Sequence, residues 1–231
     1  MNEYVRRDLL VDALWLSDHL TEDSVRVIEM AQDDEQFLQG HIPGAVLSPT
    51  WQIKGSKNTR LVAPPPEAKN WFESVGIGDD TLVVAYDRFS SRDAARLWWV
   101  LNYYGHSNVK ILDGGWNSWT SLQLPIESGL KVVDNDVIFT INSIDDSIIS
   151  NVEKLKEAIG DENSLIWDVR SDDEFMGINS RGNARVGHVP GAVHLEWTHL
   201  VNEDSTFKSP QELSMLLASV GITHEKRIHI Y

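Results

Sequence analysis

Asp168 and Arg170 stand two positions apart at the end of the apolar run Ser164-Leu165-Ile166-Trp167, and Glu29 closes a similar run, Val25-Arg26-Val27-Ile28. A carboxylate and a guanidinium at that spacing order a loop by pairing. Asp87 follows a third run, Leu82 to Tyr86, and behind it come Arg88, Arg92 and Arg96, which either hold an anion or balance the local acids. Arg181 and Arg185 arrive with a glycine-led stretch, 177 to about 184, that has no counterpart earlier in the chain. His41 and His188 each sit between a glycine and a Pro-Gly turn, a setting in which a histidine satisfies backbone groups. Cysteine is absent, so these residues offer no disulfide, no thiolate metal site and no thiol nucleophile. The remaining chemistry is capture of a small anion by arginines and backbone amides.

The elements that must position these residues come in two copies. Gly40-His41-Ile42-Pro43-Gly44-Ala45-Val46 returns as Gly187-His188-Val189-Pro190-Gly191-Ala192-Val193, and Val75-Gly76-Ile77 returns as Val220-Gly221-Ile222. The offsets, 147 residues (187 minus 40) and 145 residues (220 minus 75), nearly agree, so the chain is a duplication. Each half opens with an amphipathic helix, 11–20 and 152–159, followed by a buried strand ending in an acid, Glu29 or Asp168. In open α/β sheets that end of a strand is where sites are built. A helix at 67–74 leads to the strand 81–86, and a helix at 210–219 leads to the strand 227–231. Only the first half continues, with a loop at 87–93, a helix over 94–104, a strand at 109–112 and a last helix opened by Asp113-Gly114-Gly115-Trp116. Trp98, Trp99, Trp116 and Trp119 fall at helical spacing and read as packing residues.

The net charge of -15 disfavours a nucleic-acid partner, because phosphate contacts need a basic surface. No stretch of eighteen apolar residues exists, and acids at positions 3, 8, 12 and 18 break any leader-like core, so no membrane partner is expected and a cytoplasmic location is.

His41-Ile42-Pro43-Gly44-Ala45, Asp113-Gly114-Gly115-Trp116, Asp168-Val169-Arg170 with Glu174-Phe175, and the second Gly-His phrase together resemble the tandem rhodanese-type sulfurtransferases, the thiosulfate and 3-mercaptopyruvate enzymes. The resemblance runs in order over nearly the whole chain. It implies two α/β domains, each a parallel sheet of about five strands flanked by helices, as the order of strands and helices also gives. The expected boundaries are 1–129 for the first domain, 130–146 for a linker able to run extended at 137–141, and 147–231 for the second.

The resemblance further implies that the nucleophile is a cysteine directly after Tyr231, so the chain is expected to be cut just before its catalytic loop and to be inactive as given. Asp87 holds the equivalent place in the first half, which marks that half as the inactive type with a vestigial site. Sulfur would pass from a small anionic donor, thiosulfate or 3-mercaptopyruvate, through a cysteine persulfide to cyanide or a thiol, with no metal or organic cofactor. Arg181 and Arg185 are the candidates for donor binding, since a guanidinium fork suits a sulfonate-like group, and Asp168 and Arg170 are supporting residues. Glu174 stands where some members place a substrate arginine, which weakens the case for mercaptopyruvate. The competing readings are a non-catalytic tandem module that binds an anion or a protein, and a phosphatase-like relative with a longer loop.

Overall fold

In the computed structural model, which describes residues 4, 6–56, 62–130, 133 and 136–231, the chain forms two compact units. The N-terminal unit comprises Arg6–Asp146 with the short segment Glu203–Thr206, and the C-terminal unit comprises Tyr4, Ser147–Asn202 and Phe207–Tyr231.

The N-terminal unit is built on five strands: β1 (Leu10–Val11), β2 (Val25–Ala31), β3 (Val46–Pro49), β4 (Leu82–Tyr86) and β5 (Val109–Leu112). They lie in the order β1-β5-β4-β2-β3, all parallel. The central strand β4 is buried at every position from Val83 to Tyr86, as expected for a strand covered on both faces. The helices are α1 (Ala13–His19), α2 (Glu35–Gln39), α3 (Pro65–Ser74), α4 (Arg92–Tyr103) and α5 (Gly115–Ser121). The Asp12 side chain caps α1 by accepting from the Trp15 amide at 2.7 Å, and prolines open α3, where a missing N–H costs nothing. Trp119, Phe37, Leu16 and Ile42 are fully buried in the core between sheet and helices.

β1 was not anticipated. It is two residues long, too short for alternation to register, and it exists because Leu10 and Val11 pair with Ile111 and Leu112 of β5. Residues 137–141 of the expected linker form no strand. They are stapled instead by side chains: Glu73 accepts from the Phe139 amide at 3.0 Å, Asp79 accepts from the Thr140 amide at 2.6 Å, and Phe139 inserts beside Phe72, with ring centroids 4.5 Å apart. Positions 131, 132, 134 and 135 of the expected linker lie outside the described residues.

The C-terminal unit carries α6 (Val152–Ala158), β6 (Ser164–Asp168), α7 (Asp172–Phe175), β7 (Val193–His194), α8 (Pro210–Ser219) and β8 (Arg227–Ile230). Its sheet has three parallel strands in the order β7-β6-β8. A capping box of Ser209 and Glu212 fixes the start of α8.

The repeated phrase builds the same turn in both units. The Ala45 amide donates to the Ile42 carbonyl at 2.9 Å and the Ala192 amide to that of Val189 at 3.0 Å, with Gly44 and Gly191 at φ 77° and 78°. Proline then glycine at the two central positions is the chemistry of a type II turn, whose second corner needs a positive φ. The histidines anchor the turn to the preceding helix. His41 Nδ1 donates to the Phe37 carbonyl at 2.8 Å and His188 Nδ1 to that of Phe175 at 2.9 Å, each ring stacked on the phenylalanine with centroids 3.8 Å apart.

Candidate functional site

Both units place a buried carboxylate at the C-terminal end of the strand that precedes the repeated turn. Glu29 is the last residue of β2 to pair with β4, two residues before the strand ends, and Asp168 ends β6, and each is completely shielded from solvent. A buried charge must be paired and hydrogen-bonded to persist. In the N-terminal unit, Tyr86 at the end of β4 donates its hydroxyl to Glu29, Arg88 Nε donates to Glu29 Oε1 at 2.7 Å, and Arg88 Nη2 reaches the Gly40 carbonyl. The Tyr86 oxygen in turn accepts from the Ile42 amide at 3.2 Å. Burial, and then the Glu29 charge beside it, push the Tyr86 hydroxyl well above its ordinary value, so Tyr86 acts as a proton-bearing donor.

The C-terminal unit has the same brace. Arg170 grips Asp168 with Nε at 2.9 Å from Oδ1 and Nη2 at 2.6 Å from Oδ2, while Nη2 also donates to the Gly187 carbonyl at 2.9 Å. The Arg170 guanidinium lies 5.2 Å from the Tyr231 ring centroid, and the Tyr231 oxygen accepts from the Val189 amide at 2.9 Å. Burial alone would raise the Asp168 carboxyl. The Arg170 side chain and amide, with the Tyr231 hydroxyl, outweigh it and hold the carboxyl below its ordinary value.

One difference separates the two braces. Arg170 comes from the loop after β6, two residues beyond the acid it holds, whereas Arg88 comes from the loop after β4, two residues beyond the tyrosine. In the N-terminal unit, the loop that follows the central strand therefore serves as structural support.

That loop is also closed around Asp87. Asp87 Oδ1 accepts from the amides of Phe89 at 2.8 Å and Ser91 at 2.9 Å, and Oδ2 accepts from those of Asp93 at 2.7 Å and Ala94 at 2.8 Å. Burial pushes this carboxyl up from its ordinary value while the four amides pull it down. The Asp87 carbonyl accepts from the Trp116 amide at 3.1 Å across Gly115, where a Cβ would stand 2.4 Å from that oxygen. Only glycine fits there, which accounts for the Gly114-Gly115-Trp116 sequence.

The chain matches the Rhodanese-like domain family over residues 12–122 and 151–231. It belongs to that family. The two rhodanese-like segments coincide with the duplicated halves, and relatives span the whole chain. A sulfur carrier protein of Thermus thermophilus, TtuD, is 31% identical over 99% of this chain and 83% of its own length. A Mycolicibacterium smegmatis protein that bears the provisional name of thiosulfate sulfurtransferase is 32% identical over 98% of this chain and 83% of its own. Among solved structures, SseA of Escherichia coli, described with the 3-mercaptopyruvate sulfotransferases, superposes with a TM-score of 0.85 at 25% identity over 96% of this chain and 87% of that one.

Within this rhodanese-like frame the candidate residues separate. The structure brings Asp168 and Arg170 together with Tyr231. Arg181 is two-thirds exposed and its Nε lies 3.4 Å from Glu174, while Arg185 is exposed with no hydrogen bond or ion pair among the described residues. Of the three arginines behind Asp87, Arg88 pairs with Glu29 and Arg92 with Asp93 at 3.1 Å. Arg96 has no acidic partner among the described residues and lies over the Trp99 ring at 4.8 Å. The role of the two tyrosines was missed from sequence, although their recurrence at the ends of matching strands was the available signal. The described residues hold no cluster of metal-ligand type, and none of their helices is long and apolar enough to cross a membrane.

Proposed function

We propose that the C-terminal rhodanese-like unit is the sulfur-transferring one, with thiosulfate as donor and cyanide or a thiol as acceptor. The observation that carries this reading is the Asp168, Arg170 and Tyr231 brace. It ties the end of β8 to the end of β6 through side chains, while the Tyr231 amide donates to the Trp167 carbonyl at 3.0 Å and the Val169 amide to the Tyr231 carbonyl at 3.1 Å. A cysteine following Tyr231 would start from this fixed point. Main-chain amides curled about a thiolate there would favour its charged form.

The thiolate would attack the outer sulfur of thiosulfate. The S–S bond breaks with its electron pair leaving on sulfite, and a cysteine persulfide remains. Cyanide or an acceptor thiolate then attacks the terminal sulfur and returns the cysteine thiolate. Arg185, a cation without a partner among the described residues in a chain of net charge -15, is the proposed donor-binding group, with Arg181 four positions earlier in the same segment. The names borne by the relatives, sulfur carrier and thiosulfate sulfurtransferase, support the same reading.

Residues 1–231 contain no cysteine, so a polypeptide of these residues alone forms no persulfide. The test is thiocyanate production from thiosulfate and cyanide by that polypeptide and by one extended with a cysteine-led loop. Turnover by the extended protein alone is expected. Turnover by the 231 residues would overturn the persulfide route, and silence of both would favour a non-catalytic binding module.

A further inference from the structure

We propose that the loop 87–94 of the N-terminal unit is a complete cradle for a sulfur oxyanion, held shut by Asp87 as an internal ligand. Four main-chain N–H groups converge on one point at the end of the central strand, two to each carboxylate oxygen, at 2.7 to 2.9 Å. Two of them, on Asp93 and Ala94, belong to the first turn of the twelve-residue helix α4, whose free N–H groups and dipole favour negative charge. The carboxylate that fills the cradle is 1% exposed.

A second buried donor lies on the same loop. The Ser91 hydroxyl, on the same loop and 2% exposed, has no hydrogen-bond partner among the described residues. Both oxygens of Asp87 are already taken by amides. A tetrahedral sulfur oxyanion carries further oxygens to which such a donor can turn. No cation hydrogen-bonds to Asp87 among the described residues, because Arg88 and Arg92 are committed to Glu29 and Asp93. The loop is thus well formed and its site is filled. Emptying the site should reveal binding, and a thiol at position 87 should accept sulfur. The thiol would attack the outer sulfur of thiosulfate, breaking the S–S bond and releasing sulfite.

Two variants test this, and only the second rests on sulfur-transfer chemistry. Asp87→Ala is melted with and without sulfate or thiosulfate against wild type, which supplies the baseline because sulfate stabilises any fold. The variant should melt lower without anion and gain about 4 °C or more beyond the wild-type gain with it. Equal gains overturn the cradle. In Asp87→Cys the new residue is the sole thiol of the chain, so intact mass after thiosulfate reports on that position alone. A gain of about 32 Da, one sulfur atom, is expected, faster than in the exposed control Ser121→Cys. No gain, or an equal rate in the control, overturns thiosulfate as the class of ligand. If either variant fails to fold, it is refolded in sulfate: recovery only with the anion supports the cradle, and failure with it counts against.

Discussion

Arg170 Nη2 lies 2.6 Å from Asp168 Oδ2 and spans from there to the Gly187 carbonyl, so one guanidinium joins the end of β6 to the turn that follows the insertion. Removing the cation leaves a fully buried carboxylate with only the Tyr231 hydroxyl and amide donors. For Arg170→Ala the expected loss is about 2–4 kcal/mol, below the full cost of breaking a buried pair because Arg170 itself is partly exposed. Arg170→Lys recovers little of it, since an ammonium cannot donate along two parallel directions. Urea unfolding of both variants checks this, and a loss under about 0.5 kcal/mol would place the pair among ordinary surface bridges.

Tyr86→Phe should cost about 1–3 kcal/mol, because the deleted hydroxyl leaves the Ile42 amide without its acceptor and Glu29 without one donor. The companion variant Arg88→Ala should be coupled to it through the shared carboxylate. A double-mutant cycle would show interaction energy, and strict additivity would contradict a single brace.

His106 predicts a pH dependence. Burial holds its ring below the ordinary histidine value, against the pull of backbone groups at Thr81 and Asn108 and of the Asp79 charge, and Phe139 packs on the ring at 5.6 Å. The folded state therefore binds the proton less readily than the unfolded chain. Its contribution is present above the unfolded histidine value, about 6.5, and is lost as pH falls below it. Melting temperatures of wild type and His106→Gln between pH 7.5 and 5 should converge toward the acid end. Parallel curves would remove His106 from the account.

In a protein extended by the nucleophile loop, Arg185→Ala should raise KM for thiosulfate about tenfold while kcat changes less than threefold, because the proposed role is charge pairing with the bound donor. Steady-state kinetics at two ionic strengths checks this. An unchanged KM returns Arg185 to the role of a solvated loop residue.

Much of this was readable in advance, and the residues show why. The Gly-His-Pro-Gly-Ala phrase is legible because each residue answers a local need: proline and glycine set a turn, and histidine reaches back four residues, or thirteen across the insertion, to a helix carbonyl. The strands β2, β4 and β6 announce themselves as apolar runs. β1 and the braces are not local. Arg88 meets Glu29 across 59 positions and Tyr231 meets Val189 across 42, and no periodicity encodes such pairings. The apolar runs and the acids that end them mark where the site residues gather, but not which arginine serves which acid.

That last point bears on redesign. Arg170 matches Ala31 in the first half, yet a carboxylate, a tyrosine, a guanidinium and a glycine carbonyl meet in both units. Moving from one arrangement to the other by first losing an arginine would strand a shielded acid at a cost of about 3–5 kcal/mol, a large part of a small domain's stability. An engineered exchange of the two arrangements therefore has to add the second arginine before it removes the first.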